Sequence, residues 1–124
     1  MQETYCNPLK ITGIGDPFVL RASSGKYYLY ATSAKDGFLC WESDDLVNWE
    51  NCGYCYKAGE DAWGDHDFWA PECYEINGQF YFFYSSHYKV NPNNELENYC
   101  IGCAVADSPK GPFVDIIEIG RAHV

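Results

Sequence analysis

Gly25-Lys26-Tyr27-Tyr28-Leu29-Tyr30-Ala31-Thr32-Ser33 returns as Gly78-Gln79-Phe80-Tyr81-Phe82-Phe83-Tyr84-Ser85-Ser86, a glycine turn followed by a ring-rich run that closes on small hydroxyl residues. The offset is 78 − 25 = 53. Upstream, Asp16-Pro17-Phe18-Val19-Leu20 matches Ala70-Pro71-Glu72-Cys73-Tyr74 at an offset of 71 − 17 = 54. Downstream, the stretch from Trp41 to Trp49 matches that from Val105 to Phe113: a strand end, an Asp-bearing turn and a closing aromatic. Each unit therefore reads strand, turn, strand, longer loop, strand, turn, strand. Aromatic and β-branched runs bounded by Gly, Pro, Asn and Asp carry the strand assignments, and Asn77-Gly78 is the strongest hairpin signal among them. No window has helical periodicity with caps; Glu42 to Leu46 amounts to one short turn at most. The chain is expected to be all-β. Four-stranded units repeating at about fifty residues fit propeller blades, inner strand ends facing a central funnel. Two blades fall short of a closed ring and leave exposed edges and faces, so the sequence reads as truncated.

At 124 residues, 47% hydrophobic and 18% aromatic, the chain is one domain or less, too apolar for disorder. Eight Lys and Arg against 18 Asp and Glu leave a net charge of −10, which repels phosphate backbones and anionic headgroups. Nucleic-acid and membrane partners are thereby disfavoured, and a neutral ligand is the simpler expectation. The first residues, Met1 to Pro8, carry an acidic residue and no apolar stretch, the pattern of neither a secretory leader nor a transit peptide. With seven cysteines, an odd number, the expectation is a cytoplasmic chain with free thiols.

Cys52-Gly-Tyr-Cys55 and Cys100-Ile-Gly-Cys103 mimic the paired knuckles of a zinc site. Tyr99 to Ala106 reads as a strand, however, and positions three apart in a strand face opposite ways, so buried free cysteines are expected, with no metal and no cofactor. At the other end, Glu118 to Val124 matches what translation of GAG-ATC-GGA-AGA-GCA-CAC-GTC, the start of a common sequencing-library adapter, would give, with a natural strand or tail as the alternative. The natural domain is expected to occupy residues 1–117, and residues 118–124, with Arg121 and His123, to be a non-native tail.

Gly15-Asp16-Pro17-Phe18-Val19-Leu20, Asp67-Phe68-Trp69-Ala70-Pro71-Glu72, Asn7-Pro8-Leu9, Ser43-Asp44-Asp45-Leu46-Val47-Asn48-Trp49 and the stretch from Ala106 to Phe113 occur in one order. Together they resemble the N-terminal part of glycoside hydrolase family 43, from about Asn7 to Asp115. The resemblance implies the first two blades of a five-bladed β-propeller. It also implies hydrolysis of xylose- or arabinose-containing glycans, as in β-xylosidases and α-L-arabinofuranosidases, so that the partner would be a pentose-containing oligosaccharide or polysaccharide.

Inverting hydrolysis needs one carboxylate to activate water and one carboxylic acid to protonate the leaving oxygen. Asp16 suits the base: Gly15 permits close approach, and Pro17 biases Asp16 towards an extended conformation at the start of an inner strand. A structural reading of Asp16, as an Asx turn, stands beside it; the resemblance favours the base. Trp69 is placed to stack on a sugar ring or to pack between blades. Glu72, two residues beyond Ala70, shares the face of Asp16's repeat partner and is a second candidate for substrate binding. No position matches the family's general acid or the carboxylate that modulates it. Glu60, Asp61, Asp65 and Asp67 read as a solvated acidic loop, and His66 and His87 are left unassigned. The alternative is a non-catalytic glycan-binding β module built on the aromatic residues.

Overall fold

The computed structural model describes residues 11–121, and side-chain surroundings as far as residue 116. The motif at Asn7-Pro8-Leu9 and residue His123 lie outside the described residues. Eight strands follow in order: β1 (Gly15–Arg21), β2 (Tyr27–Thr32), β3 (Gly37–Ser43), β4 (Glu50–Lys57), β5 (Gly64–Ile76), β6 (Gln79–Tyr88), β7 (Tyr99–Ala106) and β8 (Val114–Arg121). They form two antiparallel four-stranded sheets, β1-β2-β3-β4 and β5-β6-β7-β8, each in chain order. The described residues contain no α-helix.

The turns follow from residue chemistry. Asn77 (φ 51°) and Gly78 (φ 79°) are both left-handed and join Ile76 to its register partner Gln79, as a two-residue hairpin requires. In the Ser43 to Trp49 turn, Asp45 Oδ1 accepts backbone N–H bonds from Val47 and Asn48, while Ser43 Oγ accepts those of Asp45 and Leu46.

Two expectations need correction. Asp16 is not extended: its φ is +46°, and Asp16 and Pro17 sit in a register shift between Gly15 and Phe18. Proline offers no N–H to the ladder, so the strand bulges there, and aspartate tolerates the left-handed region better than most residues. The repeat predicts that the second inner strand begins near Ala70 with Trp69 ahead of it; the second sheet's first strand instead begins at Gly64, six positions before Ala70, and Trp69 lies within it. The repeat holds through this difference, because Ala70, also before a proline and between register shifts, has φ +51°. At the other end, β8 crosses the boundary drawn at Ile117, with Glu118, Gly120 and Arg121 paired to Gly102, Ile101 and Cys100.

The two sheets share one core. Tyr30, Phe38, Cys40 and Tyr56 of the first meet Phe68, Cys73, Phe82 and Tyr84 of the second. The fully buried Phe38 ring lies 5.1–6.1 Å from the rings of Phe82, Tyr84 and Phe68, all edge-on. Polar ties close the edges. Tyr56 OH donates to Asp115 Oδ2 (2.7 Å) and Tyr84 OH to Asp115 Oδ1; Tyr30 OH donates to the Pro109 carbonyl (2.5 Å), and Phe113 N–H to that of Cys55 (2.8 Å). Ser23 donates to Glu75 through both its backbone N–H and its hydroxyl. The opposite face of the first sheet is covered separately by Leu29, Ala31 and Trp41 with Ile11, Ile14 and Trp49. Ile101, Val114 and Ile116 of the last two strands remain exposed.

Phe38→Ala empties the centre of this junction and is expected to lower stability by about 3–5 kcal/mol, measured by urea unfolding. Glu75 gives a pH dependence of known sign: the hydrogen bonds from the Ser23 hydroxyl and N–H hold its carboxyl below its ordinary value of 4.5. Its contribution is therefore full above pH 4.5 and disappears as pH falls through the lower folded-state value. The stability gap between the wild type and Glu75→Leu should narrow from pH 7 to pH 3; a constant gap would remove Glu75 from the acid response.

Candidate functional site

Between the start of the first sheet and β5 lies an open concavity of about 530 Å³, whose lining includes Thr32, Lys35, His66, Asp67 and Trp69. Thr32 is its hinge point. Thr32 pairs with Gly15, beside Asp16, and its Oγ1 accepts the N–H of Ala70 at 2.9 Å. The two left-handed pre-proline residues are thus tied to one threonine, Asp16 through its neighbour and Ala70 directly. Left-handed Ala70 has no side chain to compensate it locally, so this bond is what the surrounding structure supplies to hold it.

Trp69 is 42% exposed and stacks on Tyr99, centroids 5.2 Å apart and planes at 18°. Tyr99 is anchored in turn: its hydroxyl donates to Asp67 Oδ2 at 2.7 Å, a bond that, with burial adding to it, pushes the phenol up to about 12. Trp69 therefore presents a ring backed by a second ring, which suits stacking against the apolar face of a sugar. Asp16 and Glu72 are both exposed, and neither lines the concavity. Glu72 accepts a hydrogen bond from Tyr74 OH (3.1 Å) and lies opposite Phe83 in the ladder. Of the three sequence candidates, the structure brings Trp69 to the concavity, sets Asp16 next to its hinge threonine, and leaves Glu72 further along the exposed side of β5.

Sequence reasoning missed a cluster at the head of β5. His66 and His87 are cross-strand partners, their rings stacked at 4.3 Å, and Asp65 Oδ1 lies 2.7 Å from His66 Nδ1 and 2.8 Å from His87 Nδ1. Burial raises the Asp65 carboxyl, but the His87 and His66 interactions outweigh it and leave it below its usual range. In a regular strand Asp65 and His66 would face opposite ways; register shifts on both sides of His66 remove that alternation. Gly64 makes this possible, since a Cβ there would lie 2.4 Å from Ser86 Oγ, the hydroxyl that donates to the His66 carbonyl at 2.7 Å. The signal available in the sequence was Gly64 ahead of alternating acids and a histidine, but it does not give the register that sets His87 opposite. The cysteines at 40, 52, 55, 73 and 103 are free thiols, and those of the two Cys-x-x-Cys pairs lie in different sheets.

The family model for glycosyl hydrolases family 43 matches residues 5–123. A probable arabinan endo-1,5-α-L-arabinosidase C of Aspergillus clavatus is 34% identical over 88 residues, 65% of this chain and 27% of that protein. A β-xylosidase of Xylanibacter ruminicola is 30% identical over 77 residues, 61% of this chain and 22% of its own length. Among solved structures, a thermostable family-43 glycoside hydrolase superposes with a TM-score of 0.80 at 44% identity, over 91% of this chain and 35% of that one. An endo-arabinase from Bacteroides thetaiotaomicron gives 0.76 at 32% identity, over 95% and 39%. The chain thus spans about a quarter of the curated relatives and somewhat over a third of the solved ones. With its two four-stranded antiparallel sheets standing as consecutive blades of a five-bladed β-propeller, the chain belongs to glycosyl hydrolases family 43.

Proposed function

We propose that this chain supplies two blades of an inverting glycoside hydrolase acting on xylose- or arabinose-containing glycans, with Asp16 as general base and with Trp69 and Glu72 in sugar binding. The observation that carries this reading is the backbone at Asp16: an exposed carboxylate in a left-handed bulge, one residue from the partner of Thr32, which lines the same concavity as the stacked Trp69. Strained geometry of this kind fixes a side chain's direction and clusters at functional sites. The relatives named above, an arabinosidase and a β-xylosidase, support a carbohydrate substrate and span both pentoses.

Asp16 would take a proton from the attacking water on one face of the sugar. The leaving oxygen needs a proton from a carboxylic acid on the opposite face, for which no residue of these two blades is a match; the acid belongs to the blades that complete the ring. Trp69 would hold the ring of the sugar by stacking, and its position depends on Tyr99 and Asp67.

The chain alone should release no chromophore from 4-nitrophenyl β-xyloside or α-arabinofuranoside. Within the complete propeller, Asp16→Asn should cut kcat about a hundredfold or more with an unchanged circular dichroism spectrum. Trp69→Ala should mainly raise KM. Near-normal turnover by Asp16→Asn would move the base elsewhere, and glycan binding without any turnover in the complete protein would favour a binding module.

A further inference from the structure

We propose that Asp65, His66 and His87 form a binding site for a divalent transition-metal ion, Zn²⁺ by its donor chemistry, held through one carboxylate oxygen and the Nδ1 atoms of both imidazoles. The site does not depend on the function proposed above.

The geometry is convergent. Both Nδ1 atoms address the same carboxylate oxygen at 2.7 and 2.8 Å, and the ligand atoms of the three residues lie within 4.8 Å of one another. Donor atoms on one tetrahedral zinc ion sit roughly 3.3 Å apart, given bonds of about 2.0–2.1 Å. The separations therefore need to change by at most about 1.5 Å, and the exposed His66 has the freedom to make that change. Two imidazole nitrogens and one carboxylate oxygen select against calcium and magnesium, which take oxygen donors, and suit zinc with a fourth position left to water.

The outer contact of His66 fits the same role. Coordination through Nδ1 moves each ring's proton to Nε2. His66 Nε2 lies 3.8 Å from Asp67 Oδ2, a carboxylate already held by Tyr99 OH, so that a small ring movement gives the carboxylate–histidine–metal relay common around bound zinc. His87 Nε2 lies 3.5 Å from the Asn91 amide nitrogen, which donates to the Glu95 carbonyl, so coordination through His87 Nδ1 requires that this contact open to let the Nε2 proton reach water. The supporting scaffold is rigid: His87 is 8% exposed on the central ladder, and Ser86 holds the His66 carbonyl. Entry is open, because His66 also lines the concavity.

Calorimetric titration of the full chain with Zn²⁺, paired with visible absorption of the Co²⁺ form, tests the assignment. The expected result is one saturable equivalent and cobalt d–d bands without thiolate charge-transfer absorption, the latter separating this site from the free cysteines. His66→Gln, at an exposed position that leaves the core untouched, should weaken binding by more than the ~10–100-fold typical of outer-shell changes, and Asp67→Asn by an amount within that range. His87→Gln should act like His66→Gln; should it unfold the chain by circular dichroism, His66→Gln decides alone. Absence of saturable binding, unchanged affinity in His66→Gln, or a thiolate charge-transfer band would each overturn the proposal and leave the three residues as a hydrogen-bonded cluster.

Discussion

Everything in this chain hangs on an edge-on nest of aromatic rings between two sheets. Phe38 sits at its middle, with Phe68, Phe82 and Tyr84 presenting edges or faces to it, and each sheet covers the other's apolar surface there. Rings pack there without polar cost because the hydroxyls of Tyr56 and Tyr84 reach past the nest to one carboxylate, Asp115. Burial and those bonds raise both phenols, which favours their protonated, donating form. The functional surface inherits its rigidity from this junction: β1, β2 and β5 meet at its rim, where Thr32 bridges the two blades.

The blade architecture was legible because it is written twice. A 53-residue repeat of ring-rich runs cannot be accidental packing, and the Asn77-Gly78 turn fixes the hairpin register by itself. Local irregularity was not legible. Proline before β-strand residues suggested an extended Asp16, whereas the missing N–H of Pro17 opened a bulge and turned the residue left-handed. The same irregularity hid the Asp65, His66 and His87 cluster: adjacent residues alternate in a regular strand, and only the bulged backbone at the head of β5 sets two neighbours and a cross-strand partner around one point. Trp69 was found by pattern, but its backing ring, Tyr99, is thirty residues away and comes into contact only through the β5-β6-β7 ladder.

The bulges also explain how a regular repeat carries unequal chemistry. Asp16 and Ala70 occupy equivalent left-handed positions, yet one bears a carboxylate and the other a methyl group. The backbone strain is shared, while the side chain differs, so blade duplication supplied two similarly aimed positions of which the first carries an acid. In the second, Ala70 gives its N–H to Thr32 and becomes a strut for the first blade.

The hydrogen bond from Tyr30 to Pro109 spans 79 residues of chain. During synthesis at ~5–20 residues per second, roughly 4–16 s separate the making of Tyr30 from the making of its acceptor. Once β4 is made, and until that acceptor follows, the first sheet carries a hairpin ladder with Tyr30, Phe38 and Tyr56 on an unroofed face. The nascent chain thus carries uncovered rings before β8 exists, so that translation speed across β5 to β8 bears on soluble yield alongside final stability.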